Sequence, residues 1–205
     1  MLNVVCLKTG AAYGAEYVLR LRSMVARHLP VPHRFLCFTD AEVAGVTCLP
    51  PPCHYPGWWG KVGFFRADLP IEGPMLYLDL DVLVVGPLAE LIEIDAEFAT
   101  IAQWKRIRAP KTVPRYNSSA LYFARPGVRR QVWERFTPAL MSKLRGDQDW
   151  LAWVCPNEAT WPRVWFAGVQ PFPDGLPPCA KVILCNDVEN HVAAERWPWV
   201  KAAWT

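Results

Sequence analysis

The chain has 205 residues, 52% of them hydrophobic and 20% charged, with 20 Pro, 11 Trp and 7 Cys. Domains run to about 100–200 residues, so a single domain with a sizeable core is expected and a mostly disordered chain is excluded. Charge or Pro interrupts every apolar run short of the roughly 18 residues of a membrane span, and the net charge of +3 hides an acidic first half and a basic second half.

The opening Met1–Lys8 lacks a basic leader and reads as a strand over 3–8, ending at Thr9-Gly10. Tyr17, Leu21, Met24, Val25 and Leu29 then recur at helical spacing. Strands are expected over 33–39 and 46–49, which makes strand, helix, strand and hence an α/β fold with a parallel sheet. After a Pro-rich loop, 58–67 reads as an aromatic helix, and 75–85 (MLYLDLDVLVV) as one very apolar strand containing two carboxylates. Further strands are expected at 97–103 and 118–124. A helix over 126–144 follows, then a helical start at 147–154, an irregular Pro- and Trp-rich region over 155–180, a last strand at 181–185 and a terminal helix over 197–204. The cysteines show no C-x-x-C pair and no His at zinc spacing, so reduced thiols and a cytoplasmic protein are expected, with Cys6, Cys37 and Cys185 buried in strands.

The chemistry centres on Asp79 and Asp81. On a strand, residues i and i+2 share a face, so the two carboxylates are expected to project together. Side by side they repel, and one protonates unless a cation joins them. Oxygen donors of this kind suit Mg²⁺ or Mn²⁺ with substrate phosphates completing the shell. The bland alternative is a solvated strand end.

Six ordered segments extend the pattern over nearly the whole chain: Val5–Gly10 with Tyr13, Arg34–Asp40, Trp58–Lys61, Tyr77–Asp81, Tyr116–Ser119 and Gly146–Asp149. With them the chain resembles bacterial and phage glycosyltransferases related to glycosyltransferase family 8. The resemblance implies a GT-A fold, a Rossmann-like α/β sandwich in one domain over 1–205. The donor-binding part would span about 1–103 and the acceptor side about 104–205. It also implies a metal-dependent hexosyltransferase that takes a UDP-sugar, UDP-glucose or similar, with Mn²⁺ or Mg²⁺, in a bacterial or phage-infected cell.

By that resemblance Asp79 and Asp81 hold the metal, and Lys8, Thr9 and Tyr13 grip the nucleotide. Thr39 and Asp40 lie near the base or ribose, while Lys61 and Leu80 line the phosphate and donor side. Asn117, Asp147 and Gln148 would line the donor sugar and act in catalysis. The local alternatives are turn chemistry for Thr39-Asp40, a solvated lysine for Lys61 and a helix N-cap for Asp147. Relatives carry His-Gly after the last strand, the His being a metal ligand. Here Asn186-Asp187 stand there, so Asn186 or Asp187, or His191 nearby, would replace it.

The basic segment Lys105, Arg106, Arg108, Lys111 and Arg115 suggests an anionic acceptor, either DNA carrying a hydroxymethylated base or a glycan. Two other classes compete: a non-catalytic nucleotide-sugar or nucleic-acid binding module, and a haloacid-dehalogenase-type phosphatase. In the phosphatase the D-x-D normally opens the chain.

Overall fold

A computed structural model of the chain describes residues 1–103, 116–170 and 175–205. The central sheet is built on β1 (Leu2–Lys8), β2 (His33–Thr39), β3 (Thr47–Leu49) and β4 (Met75–Leu78), all parallel. It continues through β7 (Tyr116–Phe123), antiparallel to β4, then β6 (Phe98–Ala102) and the short β8 (Ala159–Thr160), giving the order β3-β2-β1-β4-β7-β6-β8. A second sheet has the order β5-β10-β9, from Val82–Val84, Val182–Leu184 and Phe166–Gly168.

The near-continuous hydrophobicity of the first strands follows from burial on both faces. Along β1, Leu2, Val4 and Cys6 enter one core layer, while Val5 enters the other with Leu7 packed beside it. In β4, Leu76 and Leu78 face the first layer, and Met75 and Tyr77 the second. The first layer is closed by α1 (Ala15–His28), whose Tyr17, Val18, Leu21, Met24 and Val25 form a buried stripe. The C-terminal helices α5 (Val188–Ala194) and α6 (Pro198–Ala203) join it. The second layer is closed by a 3₁₀ segment, Gly57–Phe65, and by α3 (Gln131–Glu134) and α4 (Asp147–Val154).

The structure departs from the sequence reading at several places. The run 75–85 is not one strand: β4 ends at Leu78, the N–H of Asp79 donates to the Ser119 carbonyl at 2.9 Å, and the chain turns into β5 of the second sheet. Asp79 and Asp81 therefore sit in the link between two sheets, not on a pleat. The single helix expected over 126–144 is broken into α3 and a 3₁₀ turn, Pro138–Ser142, because Gly127 and Arg129 take positive φ (76° and 58°) and Pro138 begins a new turn. The aromatic segment after Pro56 is 3₁₀ rather than α. The region 155–180 holds β8 and β9, whose strands of 2 and 3 residues are too short to leave a periodic signal. Two short helices, α2 (Ala89–Ile92) and α5, were not anticipated.

All seven cysteines are free, and Cys6, Cys37 and Cys185 are buried as expected. Among the described residues no helix is long and apolar enough to cross a membrane.

Candidate active site

A cavity of about 930 Å³ opens at the carboxyl ends of β1 and β4, where open α/β sheets collect ligands. One wall comes from the β1–α1 turn (Thr9, Ala12, Tyr13) and the segment entering α5 (Asn186 to Glu189). The other comes from Gly57, Trp58 and Lys61 and from the start of α4. Asp79, Leu80 and Asp81 cross between them, and Tyr77, Asn117 and Ser119 complete the lining.

Lys61 is the buried cation of this site, 7% exposed, and its Nζ lies 2.7 and 2.8 Å from the two oxygens of Asp79. The Tyr77 hydroxyl donates to Asp79 Oδ1 at 2.6 Å. Burial alone would lower the Lys61 pKa, but the carboxylates of Asp79, Asp147 and Asp81 together hold it above its ordinary value. The solvated-lysine alternative therefore does not describe this side chain.

Asp81 is 6% exposed and accepts a hydrogen bond from the Tyr13 hydroxyl at 3.1 Å. Burial, and then the Asp79 charge, push its pKa up to about 6 against the opposing pull of Lys61 and Tyr13. Asp147 is also buried, and its pKa is raised by desolvation, with Lys61 and a hydrogen bond from Ser118 working the other way. Asp147 is the first residue of α4, and the preceding Gly146 occupies the N-cap position with no side-chain cap bond. Asp149 instead reaches back to the Arg145 guanidinium, at 2.9 and 3.0 Å. The cap alternative for Asp147 is thus not what the structure shows.

These observations bear on whether a divalent cation suits the site. Asp79, Asp81 and Asp147 gather around one ammonium, that of Lys61, so carboxylates outnumber the cation they face. Hard oxygen donors with excess negative charge fit Mg²⁺ or Mn²⁺. Among the described residues no group of three His, Cys, Asp or Glu could hold a metal. The protein would therefore supply only part of the shell, as Mg²⁺ sites that rely on substrate phosphates do.

The other sequence-derived positions are placed as follows. Asn186 lines the cavity in a left-handed conformation, φ 71°. Asp187 lines it too, but its carboxylate caps α5, accepting from Asn190 N at 2.6 Å and Asn190 Nδ2 at 2.7 Å. His191 is not at the site: it is fully buried between Tyr17 and Trp204, so the expectation that it replaces the missing ligand is corrected. Asn117 is buried with Oδ1 accepting from Ser119 N at 2.9 Å, and Gln148 lines the cavity.

Lys8, Thr39 and Asp40 stand behind the lining rather than in it. Lys8 Nζ reaches the Gly10 carbonyl at 3.4 Å, and Asp40 accepts from Gly10 N at 2.7 Å, which pins the β1–α1 turn. Thr39 Oγ1 closes a turn with Ala41. The basic positions Lys105, Arg106, Arg108, Lys111 and Arg115 lie outside the described residues. Trp58, Tyr77, Ser119 and Asp149, which belong to the segments carrying the resemblance but have no role assigned from the sequence, line the cavity, as does Arg145. Of these, Tyr77 had a readable signal, since it stands two residues before Asp79.

No protein-family model matches the chain, and no curated protein matches its sequence. Solved structures do match its fold, and they are glycosyltransferases. The galactosyltransferase LgtC, solved with donor and acceptor sugar analogues, aligns with TM-score 0.55 and 14% identity over 99% of this chain and 96% of its own. GlyE of Streptococcus pneumoniae aligns with TM-score 0.63 and 16% identity, covering all of this chain and 66% of that one. Mouse xyloside xylosyltransferase 1 aligns with TM-score 0.56 and 12% identity over 90% of this chain and 97% of that one. The chain has the GT-A glycosyltransferase fold in a single α/β domain, as the resemblance implied.

Proposed function

We propose that the protein transfers a hexose from a nucleotide-sugar, of the UDP-glucose class, to a hydroxyl of a glycan, with Mn²⁺ or Mg²⁺ held by Asp79, Asp81 and Asn186. The observation that carries this reading is the acidic crossing between the two sheets, where Asp79, Asp81 and Asp147 share one lysine at the carboxyl ends of β1 and β4 in a glycosyltransferase fold.

Held by these residues, a divalent cation would supply positive charge to offset that of the leaving diphosphate. The chain's own residues do the rest. Thr9 and Tyr13 present the β1–α1 turn to the nucleotide, and Lys8 and Asp40 hold that turn in shape. Lys61 fixes Asp79 through both carboxylate oxygens. Asp147 and Gln148, at the start of α4, meet the donor sugar with Asn117 behind them, and a carboxylate and an amide suit its hydroxyls. In this reading residues from both 1–103 and 104–205 line one cavity, and both substrates draw on each part of the chain.

The phosphatase alternative, whose D-x-D ends the opening strand, is not favoured by a fold in which Asp79 follows β4. DNA with a hydroxymethylated base remains an acceptor only through the basic segment 104–115. A thermal-shift panel of nucleotide-sugars with Mn²⁺ and Mg²⁺ tests the donor, because a ligand at about a hundred times its Kd adds roughly 2.7 kcal/mol. A nucleotide-release assay then separates an enzyme from a binding module. Transfer that survives Asp81→Ala would contradict the metal assignment.

A further inference from the structure

The 3₁₀ segment Gly57–Phe65 turns Trp59, Val62, Phe64 and Phe65 into the core, none more than 6% exposed. Trp58 in the same segment is 57% exposed and yet lines the cavity. Among the described tryptophans Trp153 is comparably exposed, at 59%, but it does not line the cavity. Leaving an indole in water forgoes its burial free energy, which an occupant of the cavity restores.

The ring is seated deliberately. It packs on Gly146, where an added Cβ would stand 3.3 Å from Trp58 Nε1 and 3.5 Å from Cδ1, tighter than an ordinary contact for the nearer atom. Beside it, Arg145 and Asp149 form an ion pair at 2.9 Å, and Gln148 adds an amide. A flat apolar face bordered by donors and acceptors matches a pyranose ring, with C–H groups on one face and hydroxyls around the rim.

We propose that Trp58 is the acceptor platform, stacking an uncharged pyranose whose hydroxyls are read by Arg145 and Asp149. This rests on the glycosyl-transfer reading and adds the acceptor's chemical class. The acceptor fits better here than the donor, because the buried residues Lys61, Asp81, Asn117 and Asp147 form the floor, while so exposed a ring stands at the mouth where a second substrate arrives. An uncharged sugar fits better than nucleic acid, because Arg145, the cation beside the ring, is already paired with Asp149, and the metal that would offset the donor's diphosphate does not also neutralise a second polyanion.

The test is ligand-observed NMR in saturating UDP and MnCl₂. The probes are methyl β-D-galactopyranoside, methyl β-D-glucopyranoside, methyl α-D-mannopyranoside and a short oligonucleotide carrying 5-hydroxymethylcytosine. The wild type should bind at least one glycoside, Trp58→Ala should weaken that binding tenfold or more, and Trp58→Phe should retain most of it. Affinities for UDP and UDP-glucose should stay within twofold in both variants, and the exposed position keeps the fold intact, which the Tm checks. The proposal is overturned if the glycosides bind Trp58→Ala as well as wild type, or if none binds while UDP-glucose does. It also fails if only the oligonucleotide loses affinity, or if UDP-glucose weakens while UDP does not, which would place the donor sugar on the ring. Absence of any UDP or UDP-glucose binding to wild type would instead overturn the glycosyl-transfer reading beneath it.

Discussion

Lys61 and Asp79, 18 residues apart in sequence, form a buried ion pair in which one ammonium meets both carboxylate oxygens, at 2.7 and 2.8 Å. Lys61 also reaches the Ser118 hydroxyl at 3.3 Å, so it ties the 3₁₀ segment to both β4 and β7. Removing one member of such a pair leaves an uncompensated buried charge. Lys61→Met should cost roughly 3 kcal/mol of stability in urea denaturation. The double variant Lys61→Met/Asp79→Leu should recover much of that loss while abolishing transfer.

Asp81 makes the metal-free protein less stable as pH rises. Its pKa is about 6 in the fold against about 3.9 in an unfolded chain. Between those values the native state holds the proton and the unfolded state does not, so stability falls through the window from about pH 4 to 6. Asp81→Asn should abolish this slope and stabilise the metal-free protein at pH 7.5 by an amount of order 2 kcal/mol. The measurement is Tm against pH with chelator present. Added Mn²⁺ should raise the Tm of wild type at pH 7.5 and leave Asp81→Asn nearly unmoved.

His191 acts with the opposite sign. Burial lowers its pKa, with Glu195 pulling upward and Arg20 pushing down. Its Nδ1 lies 3.3 Å from the Tyr17 hydroxyl, and Nε2 meets no hydrogen-bond partner among the described residues. A His held neutral by the fold charges more readily once unfolded, so stability is present above the ordinary His pKa and is lost as pH falls below it. His191→Phe should flatten that loss, while donor affinity stays unchanged because the residue does not line the cavity. Chemical denaturation from pH 5 to 8 in both proteins reads the difference.

Asn117 has a structural duty besides any contact with sugar. Its Oδ1 accepts from Ser119 N at 2.9 Å in a buried setting, beside the bulge where the β6–β7 register shifts. Asn117→Ala should therefore lower stability by about 1–3 kcal/mol, the cost of a buried donor left unpaired. Asn117→Asp keeps the acceptor and should retain more stability than Ala. If both variants lose turnover alike at temperatures where both are folded, the amide Nδ2 contributes to the donor site directly.

The parallel strands were legible because each is buried on two faces, and the alternation of Val4 and Val5 between layers needs nothing beyond residues of one chemical kind. The run after Met75 misled for the same reason. Apolar residues continue through Val85, but they serve two different sheets, and periodicity carries no mark of the change in partner. The helix expected over 126–144 failed on backbone conformation, since positive φ at Arg129 is not encoded by residue type in the way Gly127 is. At the site, Asp79, Asp81, Asp147 and Tyr13 could be chosen from local pattern and resemblance. Trp58 could not, because one of two adjacent tryptophans is core and the other is exposed.

The acidic first half and basic second half noted at the outset are properties of the sequence alone, as are the α/β class and the D-x-D. Their combination into a site belongs to the tertiary structure. Packing brings Lys61 from the 3₁₀ segment, Asp147 from α4 and Asn186 from the approach to α5 onto the crossing at Asp79–Asp81. That same packing removes water from Asp81 and moves its pKa to about 6. Sequence fixes which charges exist, but desolvation and Coulomb interaction depend on burial and distance, which the fold supplies.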